Sequence, residues 1–245
     1  MPQPNPLQLL ALSLTVAPSA YLGPIFISNF ITPHLQQLDL RWLPSFLFRR
    51  PATINSTTDT YSPRTSWSAP LPSGSFVVSC ILSRAQSFLG TLLSPGRDEM
   101  GPAQIVRYTD SQKFDLHHDW FARPRVTDED IASGRKRLYN RIAIFFMVLQ
   151  NENVTEGTGE TWFPYAKPIA SQERLGNDEK DQRVWREHEE GGVAFKPIPG
   201  NAVFWVNLHA NGSGDGRTLH AGLPVKGGIK TAMNVWPRVF FGPDA

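Results

Sequence analysis

Residues 104–121 read Gln-Ile-Val-Arg-Tyr-Thr-Asp-Ser-Gln-Lys-Phe-Asp-Leu-His-His-Asp-Trp-Phe. Gln104–Tyr108 and Lys113–Trp120 are strand-like runs, and Thr109-Asp110-Ser111-Gln112 between them has the composition of a hairpin turn. In a strand, side chains two apart share a face. His117 and Asp119 therefore aim at one point, and His118 at the opposite side. Outward from this stretch the chain keeps to short elements. Arg141–Leu149 is apolar and partly β-branched or aromatic, which suits a central buried strand. Glu160–Phe163, Val193–Lys196, Ala202–Val206, Leu219–Leu223 and Lys230–Arg238 are further strand candidates. Upstream, Ile25–Phe30 alternates weakly, and Thr32 with Pro33 opens a short helix to about Asp39. Residues 44–75 read as extended and loop-rich, and residues 171–192 as a charged surface insertion. Phe76, Val77, Cys80, Ile81, Phe88 and Leu89 recur at helical spacing, so Ser75 to about Leu89 is an amphipathic helix lying against a sheet. Helices first and about eight short strands after them predict a mainly β fold, a sandwich or barrel with helices against one face.

The 245 residues suffice for one sizeable core. With 40% apolar and 19% charged residues the chain is globular. The 24 Lys and Arg against 22 Asp and Glu leave a formal charge of +2, interspersed, which argues against a nucleic-acid surface. The one cysteine, Cys80, excludes an internal disulfide framework and a multi-cysteine zinc site. No apolar run reaches the roughly 18–20 residues of a membrane span. Leu9–Ala17 followed by Pro18-Ser19-Ala20 resembles a secretory signal, yet no Lys or Arg precedes it. The organisation expected is an N-terminal arm or signal segment over 1–24 and one domain over 25–245. A cytoplasmic location is expected, with the secretory pathway as the alternative. Sequons stand at Asn55, Asn153 and Asn211.

Far downstream, His220 sits in Thr218-Leu219-His220-Ala221-Gly222, inside another strand candidate. Two histidines and one carboxylate match the facial triad of non-haem Fe(II) oxygenases, which leaves open positions on the metal. Neutral imidazoles and an ionised carboxylate suit Fe(II) at neutral pH. Lys230 follows ten residues after His220 in the next strand candidate. A buried lysine needs an anion, and the far end of a metal-chelating dicarboxylate supplies one. Tyr108, nine residues before His117, is placed to donate a hydroxyl to the same carboxylate. Solvated sheet positions are the ordinary alternative for both.

The ordered motifs resemble those of prolyl 4-hydroxylases. Residues 104–121 resemble that family's first metal motif, a Tyr, a turn, Gly-Gln-Lys-Tyr and His-x-Asp-Tyr-Phe. Arg141–Leu149 resembles the strand that follows it. Gly159-Glu160-Thr161-Trp162-Phe163-Pro164 resembles Gly-Glu-Thr-x-Phe-Pro, and Pro199–Trp205 resembles Lys-Gly-Asp-Ala-Leu-Phe-Trp. Asp215–Val225 resembles Asp-x-Arg-Ser-Leu-His-x-Gly-x-Pro-Val, Lys230–Arg238 the closing strand, and Arg64-Thr65-Ser66 an upstream Arg-Thr-Ser. The likeness covers about residues 25–240. It implies a double-stranded β-helix, or jelly roll, with N-terminal helices packed on one sheet. It also implies use of Fe(II), 2-oxoglutarate, O₂ and ascorbate.

Carried over by position, His117, Asp119 and His220 are the metal ligands. Lys230 holds the distal carboxylate of 2-oxoglutarate, with Tyr108 assisting. Arg141, Trp205, Phe114 and Arg64 face the substrate. The chain departs from the family at Phe114, where a Tyr is usual, at Trp120 for the Tyr after the Asp, at His118, and in the segment before Glu160. These changes lie around the substrate rather than the metal. The leading expectation is hydroxylation of a prolyl residue in a peptide. A small-molecule oxygenase of secondary metabolism and a binding module without turnover are the alternatives.

Overall fold

The computed structural model describes residues 23–31, 64–167 and 184–245. The signal-like segment through residue 22, the helix expected at 32–39, the Asn55 sequon and residues 171–183 lie outside the described residues. Strict alternation in the central strands generates the architecture. In Ala143–Glu152 (β7), Phe145, Met147 and Leu149 face one apolar cluster, while Ile144, Phe146 and Val148 face another. Ala202–Val206 (β11) divides in the same way, Ala202 and Phe204 against Val203 and Trp205. A sheet buried on both faces has no polar side to display, so its strands read as unbroken apolar runs.

These two strands sit inside a six-stranded antiparallel sheet. Its order is Ile25–Ile27 (β1), β11, β7, Ile229–Val235 (β13), Gln104–Tyr108 (β4) and Trp67–Pro70 (β2). The helix Phe76–Leu89 (α1) covers one face. Its buried stripe of Val78, Ile81, Ala85 and Leu89 follows helical spacing, and its Phe88 packs edge-on against Phe145 and Phe204. The other face meets a five-stranded sheet. Its order is Phe114–His117 (β5), His220–Gly222 (β12), Thr161–Phe163 (β8), Val193–Phe195 (β10) and Trp185–Glu187 (β9). One buried cluster joins Val106, Ile144 and Trp205 of the first sheet to Phe163, Val193 and Phe195 of the second. Two facing antiparallel sheets with a helix on the outer face form the jelly roll that the resemblance implied. A third sheet of Glu99–Met100 (β3), Pro237–Phe241 (β14) and Leu138–Arg141 (β6) completes the fourteen strands among the described residues. A short helix, Asp128–Ser133 (α2), is capped by the Thr127 hydroxyl at the Asp130 N–H and ends on left-handed Gly134.

Four expectations are corrected. Residues 104–121 do not form a hairpin: β4 pairs with β13 and β2, while β5 pairs with β12. The turn at 109–112 is an arch between two sheets, and its local chemistry is the same as a hairpin's. The run Arg141–Leu149 is two strands. At Ile142 the chain steps from the three-stranded sheet to the six-stranded one, its N–H bonded to Pro237 O and its carbonyl to Asn207 N. Lys230–Arg238 divides likewise into β13 and β14 at Trp236. The segments read as loop and as surface insertion contain the strands β2 and β9.

Candidate metal centre and co-substrate pocket

His117 closes β5 and His220 opens β12, and antiparallel register sets the two opposite each other. Their rings lie 4.2 Å apart between centroids. The strand stops at His117, yet Asp119 still turns to the same side. Its Oδ1 lies 3.9 Å from His117 Nε2, and its Oδ2 lies 3.7 Å from His220 Nε2. One donor atom from each residue lies within 4.8 Å of the others. His118 points away: its Nε2 is 3.3 Å from Gly216 O, and its ring rests near Trp120.

The backbone fixes the tautomers. His117 Nδ1 lies 2.7 Å from Asp115 O, and His220 Nδ1 lies 2.9 Å from Thr218 O. A carbonyl only accepts, so each Nδ1 carries the proton and each Nε2 presents a lone pair to the common point. Burial, and then His220, push His117 down to about 3, and burial also lowers His220. Both rings are therefore neutral at pH 7. Burial alone would raise the Asp119 carboxyl, but His220, His117 and the Arg141 guanidinium outweigh it and hold the carboxyl below its usual range. The Trp236 indole leans toward the carboxylate without completing a well-formed hydrogen bond. Two neutral imidazoles and one carboxylate, converging and buried, fit a divalent iron.

Lys230 lies within the pocket, 1% exposed. Its Nζ donates to Gly159 O at 2.6 Å and lies 5.2 Å from the Tyr108 ring, its cross-strand neighbour. Burial pushes the ammonium down to about 7, opposed by Glu160. That carboxylate is committed elsewhere, to a bidentate pair with Arg186. A buried amine that titrates near neutrality fits the distal carboxylate of a dicarboxylate. Burial also raises the Tyr108 phenol, so it stays protonated and able to donate.

The remaining expected residues fall around the same point. The Phe114 ring stacks on His117 at 3.5 Å between centroids. The Arg64 guanidinium lies 5.2 Å from the Phe114 ring, donates from Nε to Ser66 Oγ at 2.7 Å, and has an Nη2 buried with no hydrogen-bond partner. Trp205 meets His220 edge-on at 4.7 Å, and its Nε1 is likewise buried and unpartnered. Arg141 does not begin the central strand; it ends β6. Its Nη1 lies 3.2 Å from Asp119 O and 3.8 Å from Asp119 Oδ1, with the Trp236 ring 4.1 Å below. Sequence reasoning missed Trp236, Phe163 (stacked on His220 at 5.3 Å) and Arg186. Trp236 and Phe163 lay inside quoted motifs without a role. Arg186 carried no signal, because its partner is 26 residues away, just before β8.

A family model for the 2OG-Fe(II) oxygenase superfamily matches residues 103–238. Probable prolyl 4-hydroxylase 6 of Arabidopsis thaliana is 36% identical over 143 residues, 58% of this chain and 43% of that protein. The transmembrane prolyl 4-hydroxylase of Homo sapiens is 36% identical over 163 residues, 61% of this chain and 32% of that protein. The chain thus spans less than half the length of these curated relatives. Among solved structures, the viral collagen prolyl hydroxylase of Paramecium Bursaria Chlorella virus-1, in complex with 2OG, superposes with a TM-score of 0.59. It is 22% identical, and the match covers 91% of this chain and 99% of that one. With its model spanning both halves of the metal centre and the lysine, the chain belongs to the 2OG-Fe(II) oxygenase superfamily.

Proposed function

We propose that this protein is a 2-oxoglutarate-dependent dioxygenase that hydroxylates a prolyl residue in a peptide. The observation that carries the chemistry is the pairing of the converging His117, Asp119 and His220 with a buried lysine that lacks a carboxylate of its own. The relatives' names support the substrate. They are prolyl 4-hydroxylases of plants and animals, and a prolyl hydroxylase of similar fold from Trichoplax adhaerens is described in complex with a peptide fragment of hypoxia inducible factor. They lend no support to a small-molecule substrate.

His117, Asp119 and His220 would hold Fe(II), each histidine offering Nε2 and Asp119 its carboxylate. Lys230 and Tyr108 grip the distal carboxylate of 2-oxoglutarate by charge and by hydrogen bond. When bound, the iron couples oxidative decarboxylation of 2-oxoglutarate to C–H hydroxylation, so that 2-oxoglutarate, O₂ and R–H become succinate, CO₂ and R–OH. Ascorbate would serve as the reductant. Phe114, Phe163 and Trp205 line the centre with apolar surface and exclude water from it. Asp115 O and Thr218 O keep the Nδ1 protons in place throughout, so neither ring moves a proton. Arg64, bridged to Phe114, and Arg141, at the end of β6, border the centre and would take substrate carbonyls.

The test is to incubate the purified chain with Fe(II), 2-oxoglutarate, ascorbate and a proline-rich peptide, and to map oxidation by mass spectrometry. The expected product carries one added oxygen on a prolyl ring, with matching succinate. Succinate formation with oxidation on a non-prolyl compound would overturn the substrate and leave the chemistry standing.

A further inference from the structure

Glu160 is fully buried and precedes β8, beside the co-substrate pocket. A buried carboxylate demands a partner. Arg186, on the edge strand β9, supplies one: its Nε lies 3.0 Å from both Glu160 oxygens, and its Nη2 lies 2.6 Å from Oε2. The peptide carbonyl immediately before Glu160 belongs to Gly159, and that oxygen accepts from Lys230 Nζ at 2.6 Å. Gly159 has φ +67, and a Cβ built there would come within 3.1 Å of Val225 and 3.7 Å of the Lys230 stem. The 2.6 Å hydrogen bond sets the carbonyl against the lysine, and a side chain at 159 would crowd Val225. A continuous chain of contacts runs from β9 through Glu160 and Gly159 to the ammonium.

We propose that the Glu160–Arg186 pair positions Lys230, so that docking of the edge strand β9 and capture of the co-substrate carboxylate are energetically coupled. The proposal rests on the reading of Lys230 as the 2-oxoglutarate anchor. Three charges meet here, Lys230 and Arg186 against Glu160, and the surplus positive charge is what a single incoming carboxylate neutralises. Glu160 thereby has two jobs: it secures Arg186, and its field keeps the buried amine protonated against the cost of desolvation. The other groups facing Lys230 leave this balance alone. Tyr108 on β4 is held protonated, while Phe146 on β7 and the cross-strand Asn151 carry no charge. Coupling is reciprocal. A ligand that Lys230 holds must steady β9, and loosening β9 must weaken that ligand.

The two members of the pair make opposite predictions, which general destabilisation does not. Glu160→Gln keeps one oxygen that accepts from Arg186 but replaces the other with a donor NH2 and removes the negative charge. Lys230 then loses its proton at lower pH. Arg186→Ala loosens β9, so the plateau affinity below the onset falls, but it also leaves the Glu160 charge uncompensated, so the lysine keeps its proton and the onset moves to higher pH. Arg186→Lys retains the charge and restores most of the wild-type profile. The measurement is 2-oxoglutarate binding to the Mn(II)-loaded chain, by calorimetry across pH 6–9, with thermal melts as a fold control. In the wild type, affinity weakens as pH rises above the Lys230 value of about 7. The onset should move down by about 0.5–1 unit in Glu160→Gln, a three- to tenfold affinity loss at high pH, and up in Arg186→Ala. Hydrogen exchange supplies a second readout: 2-oxoglutarate should slow exchange at residues 185–187 in the wild type. Folded variants whose onset stays with the wild type overturn the coupling alone. Should Arg186→Ala fail to fold, exchange at 185–187 unchanged by 2-oxoglutarate overturns it. A Mn(II)-loaded wild type that binds no 2-oxoglutarate at any pH overturns the anchor reading, and this inference with it.

Discussion

At the scale of residues, the site is built from opposed requirements on charge. The metal ligands must present lone pairs while buried: burial lowers both imidazoles, and the carbonyls of Asp115 and Thr218 accept from Nδ1–H, which leaves each Nε2 unprotonated. Asp119→Ala should lower metal affinity by more than the about 10- to 100-fold that loss of a supporting partner costs, with the fold intact. Titration with Mn(II) reads this directly, and His118→Ala should titrate like the wild type. Lys230 has the opposite requirement: it must stay charged in a pocket that disfavours charge. Its value in the folded chain, about 7, lies below the ordinary 10.5. Without a bound carboxylate the folded chain bears the full cost of the buried charge below about pH 7, and that cost is relieved as pH rises from about 7 toward 10.5. Co-substrate binding above neutrality should take up a proton, visible as a dependence of the binding enthalpy on buffer ionisation. Lys230→Ala should weaken 2-oxoglutarate by about 10- to 150-fold, the worth of one charge-assisted bond. These ligands were legible because His117, Asp119 and Leu219-His220 are short-range patterns. Arg186 was not, because its role depends on a partner brought to it only by the fold.

At the scale of elements, each sheet face has its own task. The outer face of the six-stranded sheet rests on α1, and the inner face carries Lys230, Tyr108 and Trp205. Ile81, 1% exposed, belongs to the outer cluster. Ile81→Ala should destabilise the chain by about 2–5 kcal/mol, measured by urea unfolding, through lost burial and the cavity left behind. Manganese and 2-oxoglutarate affinities of the folded fraction should be unchanged, because a whole sheet separates Ile81 from the metal centre. The helix and the strands β4 and β11 were readable from periodicity almost to the residue. Pairing partners were not. Thr109–Gln112 has the composition of a hairpin turn in either topology, and only the inward-facing demands of Tyr108 and His117 send the two strands to different sheets. The step at Ile142 was hidden for a similar reason. An apolar run is continuous whether the chain stays in one sheet or crosses to another, and Arg141 marked that step without declaring it.

At the scale of the whole molecule, two sheets clamp one axis. His117 and His220 stand on the five-stranded sheet, Asp119 follows β5, and Lys230 stands on the six-stranded sheet. A co-substrate held by both the metal and Lys230 would span the gap between the sheets. Binding of 2-oxoglutarate with Mn(II) should stabilise the folded chain with the logarithm of ligand concentration once the site saturates, as melts at increasing 2-oxoglutarate would record. On the proposed reading, one atom of dioxygen would go to the co-substrate and the other to the peptide. The most direct measurement uses heavy-oxygen-labelled O₂ with Fe(II), 2-oxoglutarate, ascorbate and a proline-rich peptide. The predicted result is one labelled atom in succinate and one in a hydroxyprolyl residue. A hydroxylated product whose oxygen comes from water, or no dioxygen-derived label in either product, would contradict it.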